Sequence, residues 1–390
     1  MFKVQTFNKI AAAGLNQFPK ELYEVSSDIQ QPDAILVRSQ PLHDLKVQDS
    51  LKIIGRAGAG VNNIPVAAMT QIGIPVLCTP GANANAVSEL VLAGMLLASR
   101  NICQAWEYVK YLEGNDAQLN DDIELNKKRF IGNELLGKTL GIVGLGSIGV
   151  RVANAAIHLG MQVIGFDPTI TVNRAWQLSS NVIQAHSLEE LLSQSDYVTL
   201  HVPLLPATKK MMNAEKLKLM KPTAVLLNFA RDAIVDNEAL VQLLNQQKIK
   251  NYVSDFPSQI LLQHPAVISL PHLGASTMEA EENCAVMLVR QMRAFLETGA
   301  IMNSVNFPDV DVPQNYNGVR IAVVNANVPN MVAQISAKLA EAKLNILGLT
   351  NKSREEIAYT LLDIEGGVAA GVLKEIAAID GVKHVRKIIV

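Results

Sequence analysis

A glycine-rich segment in the middle of the chain constrains the fold more than any other feature of the sequence. Residues 144–149 read GLGSIG and match the pattern G-x-G-x-x-G, with the apolar run TLGIVG leading into them and the helical stretch GVRVANAAIHLG beginning at the last glycine. A strand, a glycine turn and a helix in this order are typical of the unit that holds the pyrophosphate of a dinucleotide. The next predicted strand ends in Phe166 and Asp167, where a carboxylate would accept hydrogen bonds from ribose hydroxyls. Because Asp167 would repel a 2′-phosphate, the pattern predicts NAD rather than NADP.

Strands and helices alternate on both sides of this segment, which predicts an α/β fold with two doubly wound, Rossmann-like lobes. In the first third, short β-branched runs such as AILVRS and LKIIGR are each followed by turn or helical sequence, and a second series of strands begins at Lys138. A helical stripe of apolar residues from Thr277 to Glu297 would return the chain to the first lobe. We therefore expect the substrate lobe to be discontinuous.

The end of the chain has its own pattern. Residues 303–318 are rich in asparagine and proline, and residues 319–390 read strand, helix, strand, strand, helix, strand. This βαββαβ order predicts a ferredoxin-like module, whose small core favours packing edge to edge or face to face with a second copy. The expected domains are a substrate-binding domain at 1–96 and 278–305, an NAD-binding Rossmann domain at 97–277, a linker at 306–318 and a regulatory domain at 319–390.

Composition excludes several classes of partner. The formal net charge of the 390 residues is −2, so no electrostatic excess favours nucleic acid or an anionic membrane. The longest apolar region, around Val87 to Ala98, contains Glu89 and is too short to span a bilayer. Three cysteines at wide spacing argue against a disulfide framework, and we expect a cytoplasmic protein.

Cationic and hydroxyl side chains end two strands of the first lobe. Arg38 and Ser39 follow one strand and Arg56 ends the next, at the sheet edge where α/β proteins bind ligands. These residues predict an anion pocket, with surface or structural arginines as the alternative. Gly58 and Gly60 also follow a strand, but they lack the third glycine of a dinucleotide site.

Three residues at strand ends of the second lobe are candidates for chemistry. His272 follows the strand AVISLP and is our candidate general acid–base; Arg231 follows AVLLNFA and could hold a carboxylate and polarise a carbonyl. Asp255 ends NYVSD and could accept from the nicotinamide carboxamide. The seven histidines show no spacing typical of a metal site, so we expect no catalytic metal. His201 ends a strand and could line the same cleft.

Long motifs are shared with one enzyme family. The segments IGRAGAGVNNIP, TPGANANAVSEL, GKTLGIVGLGSIG, HVPLLPATK, NFARDAIVD and PHLGASTMEAEENCA together make nearly the whole chain resemble the D-isomer-specific 2-hydroxyacid dehydrogenases. The C-terminal module is similar to an ACT domain.

The resemblance assigns roles residue by residue. It implies that Arg231 orients the substrate and that His272 transfers the proton. The cofactor contacts that it and the fingerprint imply are Gly144, Gly146, Ser147, Ile148, Gly149, Asp167, Phe229, Ala230, Asp255, Gly274 and Ala275. The implied or inferred substrate contacts are Arg38, Ser39, Arg56, Ala57, Gly58 and Asn83. In the ACT-like module, Asn325, Asn327 and Asn345 occupy positions that bind the effector L-serine in related dehydrogenases, with an asparagine turn that only caps a helix as the alternative.

Two departures from the family stand out. The family normally has a glutamate shortly after the SDFP segment that orients the catalytic histidine, whereas Gln259 and Ile260 stand in that place here. The residue after Arg231 is Asp232, where the family has glycine, and its charge could pair with the arginine. We expect both changes to reduce activity without abolishing it.

The resemblance implies NAD-dependent oxidation of 3-phospho-D-glycerate to 3-phosphohydroxypyruvate, the first step of serine biosynthesis. One alternative is reduction of another small 2-oxoacid, such as hydroxypyruvate or 2-oxoglutarate. Another is an NAD-binding regulatory protein with weak activity. We also expect a homodimer or homotetramer, because residues 86–112 are apolar on more than one helical face.

Overall fold

The computed structural model describes residues 1–313 and 318–388, and the chain divides into two compact units. One consists of Met1–Asn83 and Met278–Val390, and the other of Ala84–Thr277. The first unit ends at Asn83 rather than at residue 96, because a continuous helix begins at the next residue. Residues 314–317 of the expected linker lie outside the described residues.

The described residues form sixteen strands and thirteen α-helices. The strands are β1 (Phe2–Thr6), β2 (Tyr23–Ser26), β3 (Ala34–Val37), β4 (Ile53–Arg56), β5 (Val76–Leu77), β6 (Thr139–Val143), β7 (Gln162–Phe166), β8 (Ile183–Gln184), β9 (Tyr197–Leu200), β10 (Val225–Asn228), β11 (Asn251–Ser254), β12 (Val267–Ser269), β13 (Gly318–Ala326), β14 (Ile346–Arg354), β15 (Ile357–Glu365) and β16 (Val382–Ile388). The helices are α1 (Ala12–Leu15), α2 (Val66–Gln71), α3 (Ala84–Ser99), α4 (Ile102–Lys110), α5 (Asp116–Asn126), α6 (Ser147–His158), α7 (Val172–Ala175), α8 (Leu188–Gln194), α9 (Ala214–Lys218), α10 (Asn237–Asn245), α11 (Met278–Thr298), α12 (Met331–Glu341) and α13 (Ala370–Ala377).

A five-stranded parallel sheet in the order β2-β1-β3-β4-β5 forms the core of the first unit. Strand β3 is buried along its whole length, as expected for a parallel strand covered on both faces. Helix α11 packs on this sheet so closely that a β-carbon at Gly55 of β4 would meet Leu288 and Met292. The parallel register of β3 and β4 places Val37 beside Arg56 at one edge of the sheet.

A seven-stranded parallel sheet in the order β12-β11-β10-β9-β6-β7-β8 forms the core of the second unit. The chain starts in the middle at β6, runs outward to β8, and then crosses to β9 on the other side. This reversal is the switch point of a doubly wound fold, where ligands bind beyond the carboxyl ends of the strands. The predicted α/β class with Rossmann-like parallel sheets is confirmed.

The apolar segment at the start of the second unit is a bent pair of helices. Helices α3 and α4 meet at an angle of 68°, and Asn101 between them has a left-handed backbone. Among the helices described, none is both long and apolar enough to cross a bilayer by itself. The α3–α4 pair taken together is long and apolar enough for a membrane span, on length and composition alone. However, more than half of the residues of α3 are buried in the protein.

The C-terminal region has the predicted βαββαβ order and forms an antiparallel sheet in the order β14-β15-β13-β16. One face of the sheet packs on α12 and α13, through side chains such as Ile321, Leu339 and Ile376. Strand β14 is at one edge and keeps most of its residues partly or fully exposed.

The other face of this sheet packs within the chain, so the expectation that a second copy covers that face is wrong, whereas packing of two copies edge to edge stays a prediction. Tyr359 and Leu361 of β15 join the same hydrophobic cluster as Leu288 and Phe295 of α11. The Arg386 guanidinium lies 4.3 Å from the Phe295 ring centroid and donates to the Phe295 carbonyl at 2.7 Å. The C-terminal module has a small core by itself. Helix α11 supplies the additional apolar surface against which its second sheet face packs.

Candidate active site

The glycine turn after β6 has the conformation that dinucleotide binding requires. Gly144 has a φ of +93°, and a β-carbon there would lie 2.6 Å from the His201 carbonyl oxygen. A β-carbon at Gly149 would strike the Gly144 carbonyl, so this glycine allows α6 to pack against the turn. A β-carbon at Gly146 would meet no atom within 4 Å. The space beside Gly146 is therefore open to a ligand that approaches the backbone and the N-terminus of α6.

Asp167 braces this turn from the end of β7. Its Oδ2 accepts from the Leu145 amide at 2.8 Å, and its Oδ1 accepts from the amide and hydroxyl of Thr169 at 2.8 and 3.0 Å. A carboxylate offers about four lone-pair positions, so Oδ2 can still accept from a ribose hydroxyl. Ser147 begins α6 beside the turn, and the partly buried Ile148 packs against the core. These residues fit a bound dinucleotide.

Asn228 shapes the turn that carries Arg231. It is fully buried at the end of β10, its Nδ2 donates to the Arg231 carbonyl at 2.9 Å, and its Oδ1 accepts from the Ala230 amide at 3.1 Å. The Arg231 side chain is exposed and its Nη1 donates to the Ala230 carbonyl. Sequence reasoning missed Asn228, which ends the strand and begins the segment NFARD, because nothing in the sequence marks it as a positioning amide.

Asp232 does not neutralise the arginine. Its Oδ1 accepts from the Asn237 side chain at 2.9 Å, and within the part of the chain that the structure describes no ion pair joins Asp232 to Arg231. The 3-10 turn at Asp232–Ile234 directs this carboxylate toward α10. The expected pairing of Asp232 with Arg231 is therefore wrong.

A network around Asp255 holds the His272 turn. Asp255 is 1% exposed, and its two carboxylate oxygens accept from the amides of Leu273 and Gly274 at 2.7 and 2.8 Å. Its main-chain carbonyl accepts from the His272 amide at 3.1 Å. Burial raises the pKa of the Asp255 carboxyl, while these amides and the nearby His272 act in the opposite direction. The aspartate is thus a structural anchor for the turn, whatever contact it makes with a cofactor.

The imidazole of His272 is exposed and has no carboxylate hydrogen-bonded to it among the described residues. Its nearest ring is Phe256, with centroids 5.0 Å apart. Gln259 and Ile260, where the family has its glutamate, are both exposed. The backbone of His272 is left-handed, with a φ of +58°, which is uncommon for a residue other than glycine.

The residues assigned to the nicotinamide side differ in how far they can reach a ligand. The Phe229 ring is buried against Gly94 of α3, so that its backbone rather than its ring can face a cofactor. Ala230 and Ala275 are half-buried, whereas Gly274 is buried against the Asp255 carboxylate.

In the first unit, the predicted anion-binding residues lie together at the ends of β3 and β4. The Arg56 Nε donates to the Arg38 carbonyl at 3.0 Å, and the Ser39 amide donates to Asn8 at 2.9 Å. A β-carbon at Gly58 would collide with the Arg56 guanidinium, so the glycine makes room for it. The Arg38 guanidinium forms an ion pair of 2.7 Å with Glu281 at the start of α11. Sequence reasoning did not foresee this partner.

The remaining substrate candidates, Ala57 and Asn83, also belong to the first unit. Ala57 is buried, and its amide donates to the Val37 carbonyl at 2.8 Å. Asn83 is half-buried and immediately precedes α3.

Comparison with known proteins agrees with this geometry. Residues 92–274 match the family model described as D-isomer specific 2-hydroxyacid dehydrogenase, NAD binding domain. The D-3-phosphoglycerate dehydrogenase of Haemophilus influenzae is 33% identical over 353 residues, which cover 88% of this chain and 82% of that protein. The chain belongs to the D-isomer-specific 2-hydroxyacid dehydrogenases. It is an NAD-dependent enzyme, as the sequence predicted.

Two further similarities extend the comparison. The D-3-phosphoglycerate dehydrogenase of a Synechocystis species is 39% identical over 294 residues, and this chain spans about half of its length. The crystal structure of NAD⁺-bound 3-phosphoglycerate dehydrogenase of Entamoeba histolytica aligns with a TM-score of 0.61 and 27% identity, covering 78% of this chain and 98% of that one.

The C-terminal module of the dehydrogenase contains a cavity of about 450 Å³ at the end of β13. Asn325, Asn327, Asn330 and Asn351 contribute to its lining. Asn325 is 1% exposed, and its Oδ1 is buried without a hydrogen-bond partner among the described residues. Asn345 is not among the lining residues. It immediately precedes β14, and its Nδ2 donates to the Glu365 carboxylate at 3.0 Å.

His201 is a further polar group beside the glycine turn. Its amide donates to the Val143 carbonyl at 2.7 Å, its Nε2 pairs with the Thr199 hydroxyl at 3.0 Å, and its Nδ1 is buried without a partner within the described ranges. Burial lowers the pKa of His201 to about 3, so the ring is neutral at physiological pH. In residues 1–313 and 318–388, no group of three or more His, Cys, Asp or Glu side chains is arranged to hold a metal ion.

Proposed function

We propose that the dehydrogenase oxidises 3-phospho-D-glycerate at C2 to 3-phosphohydroxypyruvate, the first step of serine biosynthesis. The observation that carries the proposal is the chain of backbone contacts joining Arg231 to His272. Asn228 bonds to the Arg231 carbonyl, the Asp255 amide donates to Asn228, and the His272 amide donates to Asp255. Arg231 follows β10 and His272 follows β12, with only β11 between the two strands, so both side chains lie at the edge of the sheet where the glycine turn lies. The names of the relatives described above support the choice of substrate.

Each of these side chains has one task in the proposed reaction. The exposed Arg231 guanidinium binds the substrate carboxylate and polarises the C2 oxygen, because its planar fork matches two acceptors. His272 takes the proton from the C2 hydroxyl. When bound, NAD would supply the acceptor for the hydride. The proton leaves the C2 hydroxyl oxygen and the hydride leaves C2, so the carbonyl forms without another oxidant.

The cofactor contacts follow from the turn after β6. The amides of Ser147 and Ile148 and the open space beside Gly146 would receive the pyrophosphate, and Asp167 would receive the ribose hydroxyls. The backbone at Phe229, Ala230 and Gly274 would border the nicotinamide.

The substrate phosphate would bind at the edge of the first unit, to Arg56 with Arg38 and Ser39. Arginine is suited to this task because it donates two parallel hydrogen bonds to a phosphate. The backbone of Ala57 and Gly58 and the Asn83 side chain complete the proposed contacts.

A direct assay tests the reaction. Purified protein is incubated with NAD and 3-phospho-D-glycerate, and NADH absorbance is followed in this direction and in reverse with phosphohydroxypyruvate. We expect turnover in both directions and a loss of at least about a hundredfold in kcat/KM for Arg231→Ala. Lys209→Ala, which changes an exposed cation of the same unit, serves as the control. Consumption of NADH with another 2-oxoacid but not with phosphohydroxypyruvate contradicts the substrate assignment.

The Arg38–Glu281 ion pair favours a second candidate, reduction of an unphosphorylated 2-oxoacid such as hydroxypyruvate or 2-oxoglutarate. The Glu281 carboxylate neutralises Arg38, which is one of the two cations proposed to bind the phosphate. The ratio of kcat/KM for phosphohydroxypyruvate to that for hydroxypyruvate separates the two candidates.

We further propose that the C-terminal cavity is an effector site of an ACT-like domain and that L-serine binds there. The support is the buried, unpartnered Oδ1 of Asn325, an acceptor suited to the ammonium or hydroxyl group of an amino acid, in a cavity that the N-terminus of α12 also lines. The N-terminus of a helix favours a carboxylate. Asn345 would take part only across two copies of the module, because it is absent from the cavity lining of one chain. Titration of L-serine into the assay, with Asn325→Ala and Asn345→Ala as variants, tests this site; unchanged serine response in both variants contradicts it.

We also propose a homodimer or homotetramer in the cytoplasm. Several large apolar side chains around α4 and α5 are exposed, among them Trp106 at 64% and Leu125 at 78%. Large apolar side chains exposed in one region of the sequence favour a protein interface there. Sedimentation at micromolar concentration tests the assembly, and a monomer there contradicts it.

A further inference from the structure

The glycine turn of this dehydrogenase contains no cation. Residues 144–149 are Gly, Leu, Gly, Ser, Ile and Gly, so the loop itself offers only backbone amides and one hydroxyl to the negatively charged pyrophosphate. A guanidinium or an ammonium group would add charge-assisted hydrogen bonds, which are about twice as strong as neutral ones. A cation that serves this turn must come from another segment.

Arg174 reaches the turn from α7. Its Nη2 donates to the Ser147 hydroxyl at 2.7 Å, and its Nη1 donates to the Gln177 side chain at 3.0 Å. Both acceptors are neutral, and no carboxylate of the described residues lies within ion-pair distance of this guanidinium. The half-buried Arg174 therefore brings a charge without a counter-ion to the first residue of α6.

The path that brings Arg174 to Ser147 starts at the proposed ribose anchor. The Asp167 Oδ1 accepts from the amide and hydroxyl of Thr169, which turns the chain, and the Arg174 amide donates to the Thr171 carbonyl at 3.0 Å. The same carboxylate that accepts from the Leu145 amide thus fixes where α7 begins. Asp167 binds Leu145 and Arg174 binds Ser147, the two residues that flank Gly146 and its open space.

We infer that Arg174 binds the pyrophosphate of the dinucleotide and that the Ser147 hydroxyl positions its guanidinium before the cofactor arrives. The inference rests on NAD binding at the glycine turn. A guanidinium has five N–H donors, and the contacts to Ser147 and Gln177 leave donors for phosphate oxygens. The competing role, binding a 2′-phosphate, conflicts with the Asp167 carboxylate at the ribose position.

Binding measurements without turnover test the inference. NADH, ADP, adenosine and NADPH are titrated into wild-type protein and into Arg174→Met, which keeps the aliphatic length and removes the charge. We expect the Kd of NADH and of ADP to rise about tenfold, as for a lost charge-assisted hydrogen bond, and the Kd of adenosine to stay unchanged. The salt dependence of NADH binding should also weaken in this variant.

Matched variants separate charge from folding. Arg151→Met changes an exposed arginine of the same helix, α6, and should bind NADH like the wild type. Arg174→Lys keeps the charge and should retain most of the NADH affinity, which excludes a folding defect as the cause of the loss in Arg174→Met.

Three results would overturn the inference. These are unchanged NADH affinity in Arg174→Met, an equal loss of ADP and adenosine affinity, and a loss confined to NADPH, which would assign the arginine to a 2′-phosphate. Wild-type protein that binds none of the nucleotides overturns the proposed cofactor site as well, so the two failures are distinguishable.

Discussion

Asp255 holds the backbone of His272 in a left-handed turn. The aspartate carbonyl accepts from the histidine amide, and its carboxylate accepts from the next two amides. A residue other than glycine persists at a φ of +58° only where its surroundings determine that conformation. In this dehydrogenase, the candidate general acid–base is therefore positioned through its main chain rather than through a carboxylate on its ring.

Replacing this anchor should impair catalysis. Asp255→Asn can accept a hydrogen bond from only one of the Leu273 and Gly274 amides, because its NH₂ group faces the other. We therefore expect kcat to fall by about 10- to 100-fold. Steady-state kinetics measures the effect, and NADH fluorescence titration shows whether cofactor binding also weakens. Asp121→Asn, at an exposed position on α5, is the control. Wild-type kcat in Asp255→Asn contradicts the anchoring role.

Restoring a glutamate near His272 should raise turnover. We expect Gln259→Glu or Ile260→Glu to increase kcat severalfold, a part of the roughly 10² to 10⁴ that general acid–base catalysis contributes. Leu262→Glu, at another exposed position of the same loop, controls for charge. If neither variant gains activity and the wild type turns over at an ordinary rate, the missing carboxylate has no cost, and the idea of a weakly active regulatory protein fails.

Removing Glu281 should change substrate preference. Glu281→Gln releases Arg38 from its ion pair, so we expect kcat/KM for phosphohydroxypyruvate to rise about three- to tenfold relative to hydroxypyruvate. Glu341→Gln removes the carboxylate of an ion pair with Lys338 in the C-terminal module and should leave this ratio unchanged. A ratio that falls in Glu281→Gln means that the ion pair holds Arg38 in place for the phosphate.

The neutral His201 predicts a loss of stability in acid. Its folded-state pKa of about 3 lies below the unfolded value of about 6.5, so below pH 6.5 the unfolded chain binds a proton that the folded chain does not. Stability should fall by up to about 1.4 kcal/mol per pH unit between pH 6.5 and pH 3. Urea unfolding at pH 5 and pH 7 should show a smaller difference for His201→Asn, while His186→Asn, at an exposed site, should behave like the wild type. An unchanged difference in His201→Asn argues that the ring is protonated in the fold.

Breaking the buried ion pair of the C-terminal sheet should destabilise the first unit. Arg320 is fully buried, binds both carboxylate oxygens of Asp363 at 2.7 and 2.9 Å, and donates to the carbonyl of Thr298, the last residue of α11. Asp363→Ala leaves the guanidinium without its counter-ion and should cost about 3–5 kcal/mol. The double variant Arg320→Met with Asp363→Leu should recover much of this loss. Urea unfolding measures both, and equal stability of the single variant and the wild type contradicts the prediction.

Local patterns in the sequence were sufficient for a large part of the fold. The glycine turn with Asp167 and the βαββαβ order depend on residues close together in sequence, and burial periodicity reveals them directly. Arg231 and His272 were identifiable because each follows an apolar strand, and parallel strands end at a common edge.

Contacts between distant segments could not be predicted in this way. No sequence pattern indicates that Arg38 pairs with Glu281 or that the C-terminal sheet packs on α11. Both contacts depend on how separate elements assemble. The end of the first unit at Asn83 differs from the expected residue 96 for a similar reason, since helix α3 belongs to the second unit through its packing on α6, β10 and β11. Asn228 was missed because no motif distinguishes a positioning amide from an ordinary buried one.

The bond from the Leu145 amide to Asp167 has a consequence for the rate of cofactor capture. The turn after β6 already has its binding shape, so a dinucleotide that arrives does not have to order a loose segment. The association rate should then be set by diffusion and orientation, and affinity differences among adenine nucleotides should show up mainly in how slowly each one dissociates.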